Sequence, residues 1–150
     1  MNGLNQKEEI FVLAFVVVSH GKFAQGVVDS SYMIFGPQEK VQVVTFQLDE
    51  EPEDLSKSLA AAVARFDADD QVLFLVDLWG GSPFNAASRI VAEHVDRMGL
   101  ITGLNLPMLI EAYTVRDKPL NEVIAHLEET GKIGIKHLDL LQDSEKDEIL

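Results

Sequence analysis

A histidine and an aspartate in this sequence, His20 and Asp77, are placed where their side chains could act together. His20 follows the apolar run 10–18 after a single serine, and Asp77 directly follows the apolar run 72–76. A carboxylate that accepts a hydrogen bond from one imidazole nitrogen fixes the tautomer of the ring and leaves the other nitrogen free as a nucleophile. It also stabilises the ring when the ring gains positive charge. The pair therefore predicts a nucleophilic histidine, if the fold brings the two residues together.

A glycine-rich turn at residues 80–83, reading Gly-Gly-Ser-Pro, lies shortly after the aspartate. Its serine, Ser82, is a residue type favoured as a helix N-cap, and the proline after it suits the first position of a helix. The backbone N–H groups of Gly81 and Ser82 would then point at a bound anion, which the helix dipole also favours. Gly21, directly after His20, lets the backbone come close to the same anion. We therefore predict an anion site formed by Ser82, Gly81 and Gly21.

Each of these features also has an ordinary structural interpretation. His20 could satisfy only local backbone groups, Asp77 could be a turn residue, and the glycine-rich segment could be no more than a turn and a cap. Trp79 is compatible both with core packing and with an exposed anchor for a protein partner, since tryptophan is enriched at interface hot spots. The other histidines are interpreted as structural or surface residues: His94, His126 and His137.

Alternating strands and helices would position these residues. Apolar, β-branched segments predict strands, and a period of 3.6 residues predicts helices between them. This alternation is typical of a three-layer α/β fold with a doubly wound, mostly parallel sheet. If the first strand is central, the winding reverses between strands one and three, which brings His20 and Asp77 to neighbouring carboxyl ends. The predicted strands are residues 10–18, 41–48, 72–76 and 100–104, followed by a short fifth strand at 133–138.

The helical periodicity also indicates which residues are buried and where helices end. A glycine at the end of a helical pattern is a common stop signal, so Gly131 is expected to end the last helix, which starts near residue 119. The glycine-proline pair at 36–37 is expected to end the first helix in the same way. The face of that first helix predicted to be buried comprises Phe23, Val27, Ser31 and Ile34.

The composition argues against several classes of function. The 150 residues include 12 basic and 25 acidic ones, and the net charge of -13 repels nucleic acids and would steer basic protein partners. Cysteine is absent, and no set of metal ligands stands out. The run 10–18 lacks the flanks of a signal peptide, and no segment reaches the roughly 20 apolar residues of a membrane span. We expect a cytoplasmic protein with no cofactor, metal or nucleic-acid partner.

Three segments carry a resemblance to a known family: FVVVSHGKFAQG at 15–26, LFLVDLWGGSPFNAASR at 73–89 and GLNLPM at 103–108. They resemble the mannose-type A domain (EIIA) of the bacterial sugar phosphotransferase system, abbreviated PTS. The likeness extends through residues 10–138, between an expected flexible N-terminus at 1–9 and an acidic tail or linker stub at 139–150. Many family members have threonine before the histidine, whereas this chain has Ser19, which keeps the hydroxyl.

The resemblance implies a phosphocarrier. His20 would accept a phosphoryl group from phospho-HPr and pass it to an EIIB component for sugar uptake, with the membrane components EIIC and EIID involved only indirectly. Asp77 would be the hydrogen-bonded partner of His20, and Ser82 would contact the phosphate. The resemblance also implies a homodimer in which the short last strand pairs antiparallel with the partner's sheet.

Three alternative functions were weighed against the same segments of the sequence: a regulatory module, a hydrolase and a receiver domain. A regulatory module that senses phosphorylation differs from a carrier only in its partner, and the sequence does not separate the two. A Ser-His-Asp hydrolase is disfavoured because the G-x-S-x-G motif is missing and Pro83 removes the N–H that would follow Ser82. A receiver domain is disfavoured because Ser19 and His20 stand where acidic magnesium ligands would be needed.

Overall fold

A computed structural model of the chain describes residues 12–141. In this range four strands alternate with helices and two further helices follow the last strand. The predicted flexible N-terminus lies outside the described residues, as does the part of the predicted tail after residue 141. The strands are β1 (Ala14–His20), β2 (Val41–Phe46), β3 (Val72–Val76) and β4 (Met98–Thr102), and the helices are α1 (Phe23–Phe35), α2 (Pro52–Ala64), α3 (Gly81–Glu93), α4 (Leu106–Val115) and α5 (Leu120–Ile133).

The strands form one parallel sheet in the order β2-β1-β3-β4. β1 is central, and Phe15 is aligned with Val41 of β2 on one side and with Leu73 of β3 on the other. Both β1, up to Ser19, and β3 are buried along their length, as strands covered on both faces should be. The winding reverses between β1 and β3, so the predicted doubly wound parallel sheet is confirmed.

Two helical layers cover the sheet. Alternate residues of β1 face opposite layers, because side chains of a strand alternate between the two faces of a sheet. Phe15 and Val17 pack with α1, α4 and α5, whereas Val16 and Val18 pack with α2 and α3. The three-layer architecture predicted from the alternation of strands and helices is therefore confirmed.

Three strands have different ends from those predicted. β1 spans Ala14–His20 rather than 10–18, because its pairing with β2 continues to His20, which is aligned with Phe46. β2 ends at Phe46, because Leu48 lies in the following turn and is fully exposed. β4 spans Met98–Thr102 rather than 100–104, and its first residue is aligned with Val72 at the start of β3. In each case pairing with the neighbouring strand, rather than the apolar run alone, sets the boundary.

The buried face of α1 is shifted from the predicted one. Ala24, Val28 and Ser31 are buried, whereas Phe23 and Ile34 are largely exposed. Phe23 and Ile34 lie in the first and last turns of α1, where neither side chain reaches the core.

Gly131 does not end the last helix. α5 continues to Ile133, and Gly131 is buried within it. A side chain at this position would collide with α4, since a Cβ atom built on Gly131 lies 2.8 Å from the Cε atom of Met108. The glycine therefore permits close packing of α5 on α4.

The predicted fifth strand is not formed within the single chain. Ile133 is the last residue of α5, and residues 135–139 adopt no regular secondary structure. The antiparallel strand implied by the family resemblance involves a second chain, and it stays a prediction.

Arg116 ties the start of β1 to the end of α4. Its Nη2 atom donates to the carbonyl oxygens of Leu13 and Glu39, each at 2.8 Å, and its Nε atom donates to Leu13 at 3.2 Å. The guanidinium also lies over the ring of Phe15, 5.1 Å from the centroid. Burial lowers the pKa of Arg116, and the nearby Tyr113 opposes this shift. The side chain therefore supplies hydrogen-bond donors to backbone carbonyl groups beside the amino end of β1.

We expect Arg116→Met to destabilise the fold by about 2–4 kcal/mol, because the substitution removes the donors to the carbonyl of the buried Leu13 and the cation over the ring of Phe15. The free energy of unfolding in urea measures the effect. Arg89→Met removes an exposed guanidinium from α3 and should change stability by less than about 0.5 kcal/mol. Equal losses in the two variants would contradict the role given to Arg116.

Candidate functional site

The structure brings His20 and Asp77 together at the carboxyl ends of the adjacent strands β1 and β3. The Nδ1 atom of His20 lies 2.8 Å from the Oδ2 atom of Asp77. The same oxygen accepts the backbone N–H of His20 at 2.9 Å, and Oδ1 accepts the backbone N–H of Leu78 at 2.9 Å. Hydrogen bonds from both strand ends thus fix the orientation of the carboxylate, and the carboxylate in turn fixes the orientation of the imidazole ring.

This geometry distinguishes the two nitrogens of the imidazole. A carboxylate partner places the proton on Nδ1, which leaves a lone pair on Nε2. The His20 side chain is 44% exposed, whereas that of Asp77 is only 12% exposed. The ring of Phe46 lies edge-on to His20, with centroids 6.3 Å apart. The site therefore presents Nε2 as a nucleophile at the protein surface, over a largely buried carboxylate.

Gly81 lies directly against the free side of the imidazole. A Cβ atom built on Gly81 would lie 3.2 Å from Nε2 of His20 and 3.1 Å from Cε1. Gly80 and Gly81 also have φ values of 90° and 86°, which side chains other than glycine rarely adopt. The two glycines are therefore needed both for the turn and for the close approach of α3 to the histidine.

Ser82 is not the N-cap of α3. Gly80 occupies that position, Gly81 begins the helix, and Ser82 and Pro83 are its second and third residues. The N–H groups of Gly81 and Ser82 are still among the first four of a helix and have no acceptor within it. Among the described residues no hydrogen bond of the Ser82 side chain is formed. This arrangement is compatible with the predicted anion site, which stays a prediction.

Ser19 has a structural role that the sequence analysis did not assign. Its side chain is buried, and its Oγ atom accepts the backbone N–H of Ala24 at 2.7 Å and donates to the carbonyl of Gly21 at 3.3 Å. Gly21 itself has a φ of 54°. The hydroxyl therefore fixes the turn between His20 and α1. The signal available in the sequence was a serine that directly follows a long apolar run and directly precedes the candidate nucleophile.

Trp79 is exposed, so the interpretation as a core residue is wrong, and its role as a partner anchor stays a prediction. Its side chain is 78% exposed, and its ring packs on one side against Phe84, with centroids 4.6 Å apart. It borders a cleft of about 350 Å³ that β4, α4 and α5 also line. The indole therefore presents a large apolar surface in the segment between β3 and α3 rather than filling the core.

The other three histidines are not part of this arrangement. His94 follows α3 as its C-cap residue, and His137 lies in the irregular segment after α5. His126 pairs with Glu111 of α4, with 3.1 Å between Nε2 and Oε1. This hydrogen bond lowers the pKa of Glu111. These positions agree with the structural and surface interpretation.

Residues 12–141 contain neither a cluster of metal ligands nor a helix that could span a membrane. No group of three or more histidine or acidic side chains there is arranged to hold a metal ion. In the same range, no helix combines the length and the apolar character needed to cross a bilayer.

The sequence matches a described protein family and several curated proteins. Residues 14–128 match the family EIIA-man, "PTS system fructose IIA component". The chain is 41% identical over 128 residues to the "PTS system mannose-specific EIIAB component" of Escherichia coli K12, covering 84% of this chain but 39% of that protein. It is 31% identical over 147 residues to the "PTS system fructose-specific EIIA component" of Bacillus subtilis, covering 92% of this chain and 100% of that protein.

Solved structures of similar proteins share the fold. The "Mannose/sorbose specific IIA subunit of phosphotransferase system from Enterococcus faecalis" superposes with a TM-score of 0.80 at 27% identity, over 87% of this chain and 97% of that one. The phosphotransferase system component EIIA from Streptococcus agalactiae gives a TM-score of 0.76 at 30% identity, over 83% of this chain and 96% of that one.

Proposed function

The chain belongs to the mannose-type EIIA family of the sugar phosphotransferase system, and on this premise we propose that His20 accepts a phosphoryl group from phospho-HPr and passes it to an EIIB component. The observation that carries the proposal is the imidazole whose Nδ1 bonds to Asp77 while Nε2 stays free beside the start of α3. The phosphocarrier domain would comprise residues 10–138 and act in the cytoplasm. The membrane components EIIC and EIID would receive the phosphoryl group only through the acceptor.

The transfer is an in-line displacement at phosphorus. The lone pair of Nε2 of His20 forms the new N–P bond, and the N–P bond of the donor breaks with its electrons returning to the donor imidazole. The His20 ring keeps its Nδ1 proton and becomes positively charged, so the hydrogen bond to Asp77 strengthens. The N–H groups of Gly81 and Ser82, with the Ser82 hydroxyl, would bind the phosphoryl oxygens. Positioning and charge neutralisation therefore supply the catalysis.

A hydrolase mechanism has less support from the geometry. It would require Nε2 of His20 to take a proton from the Ser82 hydroxyl. Within the described part of the chain no hydrogen bond joins these two side chains, and Gly81 lies beside Nε2 instead. The carrier mechanism needs no such bond.

The test is intact mass spectrometry after incubation with phosphoenolpyruvate, enzyme I and HPr. We expect one added phosphoryl group, which disappears when an EIIB component is then supplied. Omitting HPr is the control and should leave the mass unchanged. A parent protein that never gains the group would overturn the proposal, and a group that forms but never moves on would point to the regulatory alternative.

The free edge of β4 and the exposed end of the described chain support a homodimer. β4 is an edge strand, and an unpaired edge is a liability that pairing with another chain removes. The segment after α5 carries apolar side chains that are largely exposed: Ile135, Leu138 and Leu141. We therefore propose that this segment forms the exchanged strand, and that the dimer buries its apolar side chains.

Deleting residues 135–150 should convert the dimer into monomer at micromolar concentration, because the deletion removes the exchanged segment and leaves α5 intact. Light scattering gives the mass. Replacing Met33, an equally exposed apolar residue at the far end of α1, with serine is the control and should keep the dimer. A parent protein that is already monomeric would contradict the prediction.

Substituting Gly81 should impair transfer more than stability. In Gly81→Ala the new methyl group meets the His20 ring and displaces Nε2, so we expect at least a tenfold slower phosphorylation by phospho-HPr. Gly103→Ala is a matched control, because Gly103 also has a positive φ of 78° but open space around a Cβ atom. Both variants should lose about 1–2 kcal/mol of stability, and only the first should transfer slowly. Equal rates in the two variants would show that the close approach does not matter.

A further inference from the structure

Positive charge is scarce at the edge of the sheet where His20 lies. The segments between each strand and the helix that follows it are residues 21–22, 47–51, 77–80 and 103–105, and Lys22 is their only basic residue. The next base at this edge, Lys132, lies in the last turn of α5 beside the edge strand β4. The same four segments contain four carboxylates: Asp49, Glu50, Glu51 and Asp77.

Hydrogen bonds hold the backbone of Lys22 beside the histidine. Gly21 donates its N–H to the carbonyl of Phe46 at 2.7 Å, and the carbonyl of Lys22 accepts the N–H of Gly26 at 3.0 Å. Two residues span at most about 7 Å, so the Cα atom of Lys22 lies within this distance of that of His20. A flexible four-carbon stem carries the ammonium group of a lysine. The ammonium group of Lys22 can therefore reach a group bound to Nε2 of His20.

The side chain of Lys22 makes no contact that explains its position. Lys22 is exposed and is the N-cap residue of α1, but its side chain forms no capping hydrogen bond. Within residues 12–141 it also forms no ion pair. Lys40 differs, because its Nζ atom lies 3.0 Å from Oδ1 of Asp70 and 3.3 Å from Oδ2 of Asp67. The charge of Lys22 is therefore available to a bound anion, whereas that of Lys40 is used within the fold.

A phosphoryl group on Nε2 would bring more negative charge to an acidic surface. It carries between one and two negative charges at neutral pH. The positive charge that the His20 ring gains on phosphorylation is paired with Asp77. The N–H groups of Gly81 and Ser82 offer only the partial charges of a helix start. A full positive charge close to the phosphoryl oxygens would therefore stabilise the phosphorylated protein.

Resting on the proposed function, we propose that the ammonium group of Lys22 binds the phosphoryl group carried by His20. The ammonium group is hydrated while the site is empty and pairs with a phosphoryl oxygen once the N–P bond has formed. Because α1 and α3 cover opposite faces of the sheet, Lys22 approaches the group from one side and the start of α3 from the other. The contact depends on the charge of Lys22 and not on which donor delivers the phosphoryl group.

The ionisation of the phosphoryl group reports this contact directly. In Lys22→Gln we expect its pKa, followed by phosphorus NMR of the isolated phosphoprotein, to rise by about 0.5, because the dianion loses its cation. Lys22→Arg keeps the charge and should restore the parent value. Lys118→Gln is the matched control, since Lys118 is exposed after α4, at the opposite edge of the sheet, and should leave the pKa unchanged. The effect of Lys22→Gln should shrink near 1 M salt.

The outcomes separate this proposal from the proposed function. A parent protein that accepts a phosphoryl group from phosphoramidate, a small donor, but not from phospho-HPr overturns the carrier function, and its phosphoprotein still tests Lys22. An unchanged pKa in Lys22→Gln overturns only the role of Lys22. An equal rise in Lys22→Arg and Lys22→Gln also overturns that role, because the charge is then not the cause. A His20 that accepts a phosphoryl group from neither donor overturns both.

Discussion

His20→Ala is expected to take up no phosphoryl group at all from phospho-HPr. The substitution removes the only ring nitrogen that stands free beside Asp77 and Gly81 within residues 12–141. Intact mass spectrometry of the variant should show the unmodified protein under conditions in which the parent gains one group. The phosphoryl group on the parent should be labile in acid and stable in base, as expected of an N–P bond to imidazole.

Three matched variants make this result specific. His94→Ala, His126→Ala and His137→Ala each remove an imidazole that lies outside the site, so their uptake should equal that of the parent. Uptake by His20→Ala at the parent rate would show that the central assignment is wrong.

Asp77→Asn should keep the fold and slow the transfer by about a hundredfold. The amide oxygen of asparagine can replace Oδ2 and accept both hydrogen bonds from His20, so the ring keeps its orientation. The amide nitrogen then replaces Oδ1, and only the hydrogen bond from the backbone N–H of Leu78 is lost. The negative charge that stabilises the phosphorylated, cationic ring is lost, and one preorganised electrostatic contact is commonly worth this factor. Single-turnover rates with phospho-HPr measure the effect.

The unfolding of Asp77→Asn in urea controls for damage to the sheet edge. Stability within about 1 kcal/mol of the parent would assign the slow transfer to charge. Transfer at the parent rate would leave His20 as the acceptor but remove Asp77 from the mechanism.

Ser82→Ala should have a smaller effect on the rate, because the N–H groups of Gly81 and Ser82 remain.

The central pair of the site could be predicted from the sequence because strand ends control it. The apolar runs before His20 and Asp77 are short and β-branched, which identifies buried parallel strands. In such a sheet the carboxyl ends of neighbouring strands share one edge, so two residues 57 positions apart become neighbours. The order and the direction of the strands are enough to place the two residues side by side.

The details that were mispredicted depend on contacts between distant residues. The residue types at 82 and 83 favoured an N-cap at Ser82, but α3 starts at Gly81 because two glycines with positive φ bring the helix against the ring of His20. Gly131 had the pattern of a helix stop, yet its contact with Met108 makes it a packing residue within α5. Neither contact has a signature in the local sequence.

The position of the reactive nitrogen also determines the order in which partners can bind. Nδ1 of His20 is engaged by Asp77, so in the proposed carrier function Nε2 has to serve both when the phosphoryl group arrives and when it leaves. Donor and acceptor must therefore occupy the same space in turn, and no ternary complex can transfer the group. Kinetics should be ping-pong, with unphosphorylated acceptor competing against the donor, and the direction of flow is set by the relative amounts of the two phosphorylated partners.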